Sequence, residues 1–525
     1  MEKLPCSIFN DVLGPIMRGP SSSHVAGAAR IASLVRQSMT GKVVQAVVDF
    51  DPTGALAASH TGHGTDMGFA CGLMDMELSD PTVDRYRELA EEKGIAIEYR
   101  ILEYGAVHPG NYRMAITDEN GVCRHWEAIS VGGGMIEMQK LEGYTVNICG
   151  DFYELIVICD TSALAAEDYA ARICAVTGKS EYTLPDENPE AAECLLNLKY
   201  AAPLTDKMVG EIRRIPGILD VMTMEPVLPT HSRAGCKVPY SSAEELLAYA
   251  AEHPMEPWEY GCYYESCRGG AAMQEVYGQM EGILSVMEQA VDEGLAGTEY
   301  KDRILGAQSY RIDEAEKAGK LIPCDPLNMV IKSITAVMET KSSMGLIVAA
   351  PTCGSCGCLP GTVIGLGRAL GLPREEMVKG LFLAGLIGVF FAEEATFSAE
   401  VGGCQVECGA GSGMAAAAVT QMMGGNIIQC VDSASLALQN ITGLACDPVG
   451  NRVEVPCLGK NVMGGSNALS SANMILAGYD AVIPLDETIG AIYEIGISLP
   501  LELRCTWGGL GKTKTSMRIL EELKH

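Results

Sequence analysis

The hydrophobic pattern of this chain changes near residue 240, and that change limits its fold more than any other feature. Before it, short apolar runs at 44–52 and 112–118 have the length of β-strands, and 26–37 has helical spacing. After it, Ala, Met, Leu and Gly dominate and strand-like alternation is scarce. We therefore expect an α/β domain (1–149) and, further along, a mainly α-helical domain (240–525) with glycine-rich loops.

Residues 150–230 between these two sections predict a small module of their own. Strand-like, helical, strand-like, helical and strand-like stretches follow one another at 154–160, 164–176, 193–200, 205–217 and 218–224. This order is typical of a ferredoxin-like α+β module. It resembles an ACT domain, a family whose members often bind amino acids as regulators. A purely structural or dimerising module fits the pattern equally well.

Composition excludes some partners. The 525 residues include 38 Lys and Arg against 67 Asp and Glu, a net charge of -29. So acidic a chain repels nucleic acid and anionic membranes, and we expect neither as a partner. The first residues lack the apolar core of a signal peptide, which favours a cytoplasmic location. The longest apolar stretch, 380–392, is too short to span a bilayer and predicts a buried helix.

Twenty cysteines are many for a chain of this kind. In a reducing compartment the excess indicates metal binding, redox chemistry or small core residues rather than disulfides. Cys353, Cys356 and Cys358 share a tight loop, where a redox pair, metal ligands and plain packing are all compatible with the spacing.

A second set of cysteines lies in glycine- or proline-rich loops between predicted helices. Its members are Cys404, Cys408, Cys446 and Cys457. Thiolates are the usual ligands of iron–sulfur clusters. The spacing is that of neither a ferredoxin nor a structural zinc pair, so the spacing alone does not identify a metal.

Two polar segments of the first domain could hold a substrate. Gly19–His24 places three serines and a histidine before a helix, where hydroxyl and backbone N–H groups suit a carboxylate or simply cap the helix. Ser59–Asp66 holds His60 and His63 among small residues. A histidine in such a loop serves as a general base or is a plain surface residue.

Taken together, these segments resemble the iron–sulfur-dependent L-serine dehydratases (L-serine ammonia-lyases). The matching stretches are GPSSSH, GHGTD, SVGGG, APTxGSxG, GGCQxE, CDPVG, VPC and LPLELRxTxGGL. They follow one another in the right order over nearly the whole chain. In many relatives the two parts are separate β and α subunits, whereas here they are fused.

The resemblance implies a lyase that converts L-serine to pyruvate and ammonia, in amino-acid catabolism and gluconeogenesis. It implies an oxygen-sensitive 4Fe-4S cluster on Cys404, Cys446 and Cys457, with the fourth iron free of cysteine during turnover, and no pyridoxal phosphate. Such an iron acts as a Lewis acid. It also implies a homodimer.

The resemblance further implies the residues of the site. His63 would be the base, and His24 a second proton handler or substrate contact. The hydroxyl groups of Ser21, Ser22 and Ser23 would hold the substrate carboxylate. Thr352 and Gly354 of the helical domain would line the pocket. The site would then form between the first and last domains.

The chain departs from the family pattern at several positions. Val25 replaces a threonine, Cys353 an asparagine or alanine, and Cys505 a glutamate that often follows Arg504. Some relatives end in a cysteine that caps the open iron, whereas this sequence ends in Lys524-His525. The cluster would then rest open or use Cys505 as a temporary cap. L-threonine or L-cysteine as substrate, an amino-acid sensor without activity and a zinc or redox protein remain alternatives.

Overall fold

A computed structural model describes residues 3–506 and 508–523 of the chain. The elements of the first section follow in the order β1 (Ile16–Met17), α1 (Gly27–Gln37), β2 (Val43–Phe50), α2 (Ala55–Ser59), α3 (Thr65–Met74), α4 (Tyr86–Glu92), β3 (Ala96–Ile101), β4 (Asn111–Asp118), β5 (Cys123–Gly132), β6 (Met135–Leu141) and β7 (Tyr144–Ile148). Six strands form a sheet in the order β3-β2-β4-β5-β6-β7, where β2 and β3 are parallel and the other neighbours antiparallel. The prediction of an α/β first section is confirmed.

Helices α1 and α3 pack closely because both carry small residues where they meet. A side chain on Gly68 would overlap the backbone of Val25, and one on Gly72 would overlap the backbone of Ala29. α1 continues directly from a helical turn at Ser22–Ala26, and α3 begins just after His63. The close packing of the two helices therefore brings the turn that carries His24 beside the loop that carries His63.

The second section contains β8 (Tyr153–Asp160), α5 (Ala166–Thr177), β9 (Tyr182–Asn188), β10 (Glu193–Tyr200), α6 (Asp206–Ile212) and β11 (Ile218–Met224). Its four strands form an antiparallel sheet in the order β11-β8-β10-β9. Both helices and three of the strands were expected from the sequence. Strand β9 was missed because its sequence is mostly polar and contains Pro185, which is tolerated at the edge of a sheet.

The last section is rich in helices, as expected. Its elements are α7 (Ala243–Glu252), α8 (Pro257–Gly269), α9 (Met273–Ala296), α10 (Tyr310–Lys317), α11 (Asp325–Ser342), β12 (Ile347–Val348), α12 (Cys358–Leu370), α13 (Arg374–Glu394), α14 (Ala399–Gly402), α15 (Cys408–Met422), α16 (Ile427–Gln439), α17 (Cys457–Leu476), α18 (Leu485–Ser498) and α19 (Lys514–Glu522).

Helices α13 and α15 lie at the centre of this helical section. The apolar stretch 380–392 belongs to α13 and is almost wholly buried, as predicted, and every residue of α15 is buried. Within residues 3–506 and 508–523, no helix is both long and apolar enough to cross a membrane.

The N-terminal segment joins the first section to the last. β1 pairs with β12, with Ile16 opposite Val348. The helical turn before β1 packs on α13, where Gly385 and Gly388 leave room for the side chains of Ile8 and Val12. The N-terminal segment is thus part of the helical core, and its pairing with β12 brings the loops that follow β1 and β12 close together.

Candidate active site

His24 is held in a fixed orientation by two serines. The Ser59 hydroxyl donates its proton to the carbonyl oxygen of Ala55 at 2.7 Å. It must therefore accept the hydrogen bond that joins it to His24 Nε2 at 2.7 Å. This assignment places the ring proton on Nε2, so His24 Nδ1 accepts from the Ser21 hydroxyl at 3.0 Å.

His63 lies against His24 in an edge-to-face arrangement, with 4.7 Å between the ring centroids. Burial lowers the pKa of each ring to about 3, and the neighbouring His24 adds to this effect at His63. Both rings are therefore neutral at neutral pH. The Glu400 carboxylate lies 3.9 Å from His24 Nδ1, a contact that is not an ion pair while His24 is neutral.

The second histidine keeps one nitrogen free. His63 Nε2 is buried and has no hydrogen-bond partner in the part of the chain that the structure describes. A buried polar atom without a partner costs about 1–3 kcal/mol, so natural proteins seldom retain one without a use. A free ring nitrogen on a neutral imidazole is what a general base requires.

Several of the predicted substrate contacts lie together across the two sections. The Ser22 hydroxyl accepts a hydrogen bond from the backbone N–H of Cys353 at 3.3 Å. Thr352 precedes Cys353 and donates its hydroxyl proton to Glu407 at 2.7 Å, and Gly354 faces the same carboxylate. Ser23 lines a small cavity with His24 and Glu400.

The proposed cluster cysteines come from three loops that are tied together. The turn of Cys404 is joined to the next loop by a hydrogen bond from Gln405 N–H to Leu444 O at 3.1 Å. Cys446 and Cys505 lie on adjoining backbone segments, since Cys505 N–H donates to Cys446 O at 2.9 Å. The buried Cys404, Cys408 and Cys446 pack together in one small group of side chains, and Cys505 lies beside them.

Cys457 begins α17 beside these loops, and its thiol interacts electrostatically with those of Cys404 and Cys446. Between Cys446 and Cys457, the side chain of Asn451 donates to Ala58 O at 3.2 Å, in the segment that leads to His63. The cysteine loops and the histidine loop are therefore in contact.

One thiol of this group ionises more readily than an ordinary cysteine. The pKa of Cys404 is lowered to about 7, chiefly through its interaction with the Cys408 thiol and further by the Lys460 ammonium. Lys460 also forms an ion pair with Asp447 at 2.9 Å. Burial raises the pKa of Cys457, which therefore needs a metal to become a thiolate.

The side chains of the cysteine loops have donor chemistry that is compatible with an iron–sulfur cluster. Among the described residues, no three His, Cys, Asp or Glu side chains are placed to hold one metal ion. An iron–sulfur cluster takes its ligands as cysteine thiolates, one to each iron. Three buried cysteines in adjoining loops, with a lysine beside them to balance thiolate charge, have the donor chemistry of such a group.

Cys353 and Cys356 pack against methionine sulfurs in the core. Cys353 Sγ lies 3.4 Å from Met17 Sδ, and Cys356 Sγ lies 3.9 Å from Met338 Sδ. These contacts are typical of core packing.

Sequence reasoning missed several polar residues that support the site. Glu407 is within the GGCQxE stretch but was not singled out, and burial raises its pKa. Asn461 is completely buried and bonds to both the Cys353–Cys358 loop and Cys457. Lys341 is buried and donates to Val453 O. Only Glu407 lay in a motif that could have indicated it.

Comparisons with known proteins match two regions of this chain to two different protein chains. The sequence-family model of the serine dehydratase alpha chain matches residues 161–510, and the sequence-family model of the serine dehydratase beta chain matches residues 9–95. The probable L-serine dehydratase alpha chain of Bacillus subtilis (strain 168) is 40% identical over 251 residues, which are 48% of this chain and 84% of the relative. The probable beta chain of that organism is 32% identical over 218 residues, which are 41% of this chain and 96% of the relative.

The L-serine dehydratase of Helicobacter pylori (strain ATCC 700392 / 26695) matches over nearly the full length, with 24% identity across 94% of this chain and 96% of the relative. The chain therefore belongs to the serine dehydratase family. Within that family it is a fused member, since the alpha-type and beta-type regions lie in one polypeptide. The resemblance that the sequence motifs indicated is thereby confirmed.

Proposed function

We propose that this protein removes the amino group of L-serine by eliminating water, which yields pyruvate and ammonia. The observation that carries the proposal is the buried, unpartnered Nε2 of the neutral His63 beside loops rich in cysteine. The names of the relatives, which are L-serine dehydratases, support the same substrate.

The serines would divide the work of binding the substrate carboxylate. Ser21 donates its proton to His24, so its main task would be to orient that ring. Ser22 uses its oxygen to accept from Cys353 and keeps its proton free for the carboxylate. Ser23 stands next to it, and Thr352 and Gly354 would line the opposite wall.

Cys404, Cys446 and Cys457 would hold a 4Fe-4S cluster, which when bound supplies a Lewis-acidic iron that makes the substrate hydroxyl a better leaving group. His63 would take the Cα proton at Nε2, since that nitrogen has no competing partner and is free to accept a proton in the tautomer that carries its hydrogen on Nδ1. His24 would hold His63 in place by ring contact. The aminoacrylate that is released tautomerises to an imine, which water hydrolyses to pyruvate and ammonia.

Anaerobic purification followed by a pyruvate assay tests the proposal. We expect a brown protein with a visible band near roughly 400 nm and pyruvate release from L-serine. His63→Ala should keep the band and lose at least about a hundredfold in kcat, the usual worth of a general base. Cys446→Ala should lose both.

Cys430→Ala is the matched control, because Cys430 is a buried cysteine on α16 that hydrogen-bonds only weakly to Gly425 O, at 3.8 Å. It should keep the band and the activity. Full activity in His63→Ala or Cys446→Ala would contradict the assignment. L-threonine and L-cysteine, assayed in parallel, report the substrate preference.

We also propose that residues 150–230 form an ACT-like module for an amino-acid effector, which the β-α-β-β-α-β order supports. The domain limits of 1–149, 150–230 and 240–525, a homodimer and a cytoplasmic location stay predictions. Light scattering of the purified protein would report the number of subunits.

A further inference from the structure

A cleft of about 1150 Å³ lies where the three sections meet, away from the cysteine loops. One wall is helix α1, another is the segment Thr223–Pro229 that follows β11, and a third is helix α9. Any molecule that fills this cleft would contact all three sections at once.

Arg30 on α1 lines the cleft and is a buried cation that forms no ion pair within the described part of the chain. Its side chain is 8% exposed, and the Asp11 carboxylate acts on it electrostatically without forming an ion pair. Nη1 donates to Gly134 O at 2.6 Å and approaches the sulfur of Met135 at 3.7 Å. A guanidinium has five N–H donors, so most of the donors of Arg30 have no protein acceptor.

The other buried arginines among the described residues have an ion pair or more hydrogen bonds than Arg30, although Arg124 Nε has no partner. Arg124 forms an ion pair with Asp220 at 2.7 Å. Arg268 donates to two backbone oxygens and to the Ser232 hydroxyl. Burial lowers the pKa of Arg30 to about 10, although the Asp11 carboxylate acts to raise it, and the group stays positive at neutral pH. A buried positive charge of this kind is costly unless something negative reaches it.

The same face of α1 supplies a second donor. Ser33 and Gln37 follow Arg30 at the spacing of one helix face and line the same cleft. The Ser33 hydroxyl accepts from Gln37 Nε2 at 3.5 Å and keeps its own proton free. Gln37 is anchored by accepting from the backbone N–H of Glu225 at 2.6 Å.

The remaining charges of the cleft limit the charge of a ligand. Arg36 is already paired with Asp75 at 2.5 Å, and Glu77 and Glu225 are on the walls as well. These carboxylates disfavour a multiply charged anion such as phosphate. A planar carboxylate with a single charge fits the free edge of one guanidinium, which binds such a group through two parallel hydrogen bonds.

We propose that this cleft is a binding site for a small monocarboxylate, held by the guanidinium of Arg30 and the hydroxyl of Ser33. The ligand joins α1 to the segment after β11 and to α9. Because α1 continues directly from the turn that carries His24, a bound carboxylate fixes the helix on which one side of the active site rests.

Propionate and its neutral isostere propionamide test this site by saturation-transfer NMR on the full-length protein. We expect saturable binding of propionate with a Kd of about 1 mM, the strength of one well-made ionic contact. Propionamide should not bind. Saturable binding of both, or of neither up to about 50 mM, would overturn the proposal.

Four variants locate the site. Arg30→Gln should weaken propionate binding at least about tenfold, and Ser33→Ala severalfold. Arg36→Gln removes the same charge from the same cleft but should bind as the parent does, because Arg36 is already paired. His63→Ala should also bind propionate normally, which separates this site from the active site.

Equal binding by Arg30→Gln and Arg36→Gln would show a general charge effect and refute the site. If circular dichroism shows that Arg30→Gln does not fold, Ser33→Ala decides. The Ser33 hydroxyl takes no part in the hydrogen bond between Arg30 and Gly134 O, so its removal leaves that contact in place. Parental binding of propionate by Ser33→Ala would count against the proposal.

Discussion

The two histidines of the site are buried as neutral rings, and their burial makes stability depend on pH. Burial lowers the folded-state pKa of His24 and His63 to about 3, whereas an unfolded histidine titrates near about 6.5. Between these values the unfolded chain binds protons that the folded chain does not. The free energy of unfolding must therefore fall as the pH falls from about 6.5 toward 3.

His63→Gln should reduce this pH dependence. One such histidine accounts for about 2 kcal/mol of lost stability between pH 7 and pH 5. Urea unfolding at both values should show a smaller loss in His63→Gln than in the parent by about that amount. The same substitution at the exposed His253 is the control and should leave the loss unchanged. An unaltered loss in His63→Gln would mean that its ring is charged or hydrated in the folded protein.

Cys505 has a backbone conformation that suggests a task. Its φ is +60°, a left-handed value that costs a residue with a side chain about 1 kcal/mol. The strain puts its thiol beside that of Cys446, one of the proposed cluster ligands. The observed outlier, rather than the chemistry alone, motivates the idea that Cys505 caps the open iron.

Cys505→Ser should then shorten the lag before turnover, raise the oxygen sensitivity of the resting enzyme and change the visible spectrum. Cys430→Ser serves as the control, because Cys430 is a buried cysteine on α16 whose thiol lies 3.8 Å from Gly425 O. An unchanged lag, oxygen sensitivity and spectrum in Cys505→Ser would eliminate the cap. The alternative end of the chain, Lys524-His525, lies outside the described residues.

At the level of elements, one side chain of α17 organises the cysteine loops. Asn461 donates to Gly354 O and Cys457 O, both at 2.8 Å. Its carbonyl oxygen accepts from the backbone N–H groups of Gly357 and Cys358 at 3.1 and 2.8 Å. The start of α17 and the start of α12 are thereby fixed to each other.

Asn461→Ala should lower the free energy of unfolding by roughly 2–5 kcal/mol, because it leaves buried N–H and C=O groups without partners. Urea titration checks the loss, and iron analysis should show less bound iron per chain. Asn473→Ala, on an exposed position of the same helix, should change stability by less than about 0.5 kcal/mol. Equal losses in the two variants would mean that Asn461 has no organising role.

Elements were predictable from the sequence where their burial is one-sided. β4 alternates strictly between buried and partly exposed residues, and the pattern at 112–118 predicted it. β9 is mostly polar and has no such pattern, so only its pairing with β10 reveals it. At the start of α7, the Ser242 hydroxyl accepts from the backbone N–H of Glu245, while the Glu245 carboxylate accepts from the backbone N–H of Ser241.

The candidate site, like the elements, was predictable from the sequence only in part. The segments around His24 and His63 could be singled out by their composition, but the contact of the two rings depends on how α1 packs on α3. Glu407, Asn461 and Lys341 act through partners far away in sequence, such as Thr352, which no local pattern encodes. Tertiary contacts therefore decide which of the polar residues belong to the site.

On the scale of the whole molecule, the first and last sections form one structural unit. The buried side chains of Ile8 and Val12 fill space that two glycines leave on α13, and β1 completes a two-stranded sheet with β12. The candidate active site depends on the same contacts, since the backbone N–H of Cys353 donates to the Ser22 hydroxyl across the junction. Covalent continuity between the sections is therefore not what holds them together.

A chain divided after Gly235 should still assemble. Gly235 is an exposed turn residue with φ of +66°, and no atom lies within 4 Å of the place that a Cβ would occupy. A break there therefore removes no packing. We expect fragments 1–235 and 236–525 to co-purify when they are produced together and to retain at least about half of the parental activity, since buried contacts rather than the peptide bond maintain the site. Fragment 236–525 alone should aggregate, because the face of α13 around Gly385 and Gly388 loses its cover. A soluble fragment 236–525 that is as stable as the undivided protein and has no affinity for 1–235 would show that the N-terminal segment contributes little to the helical core.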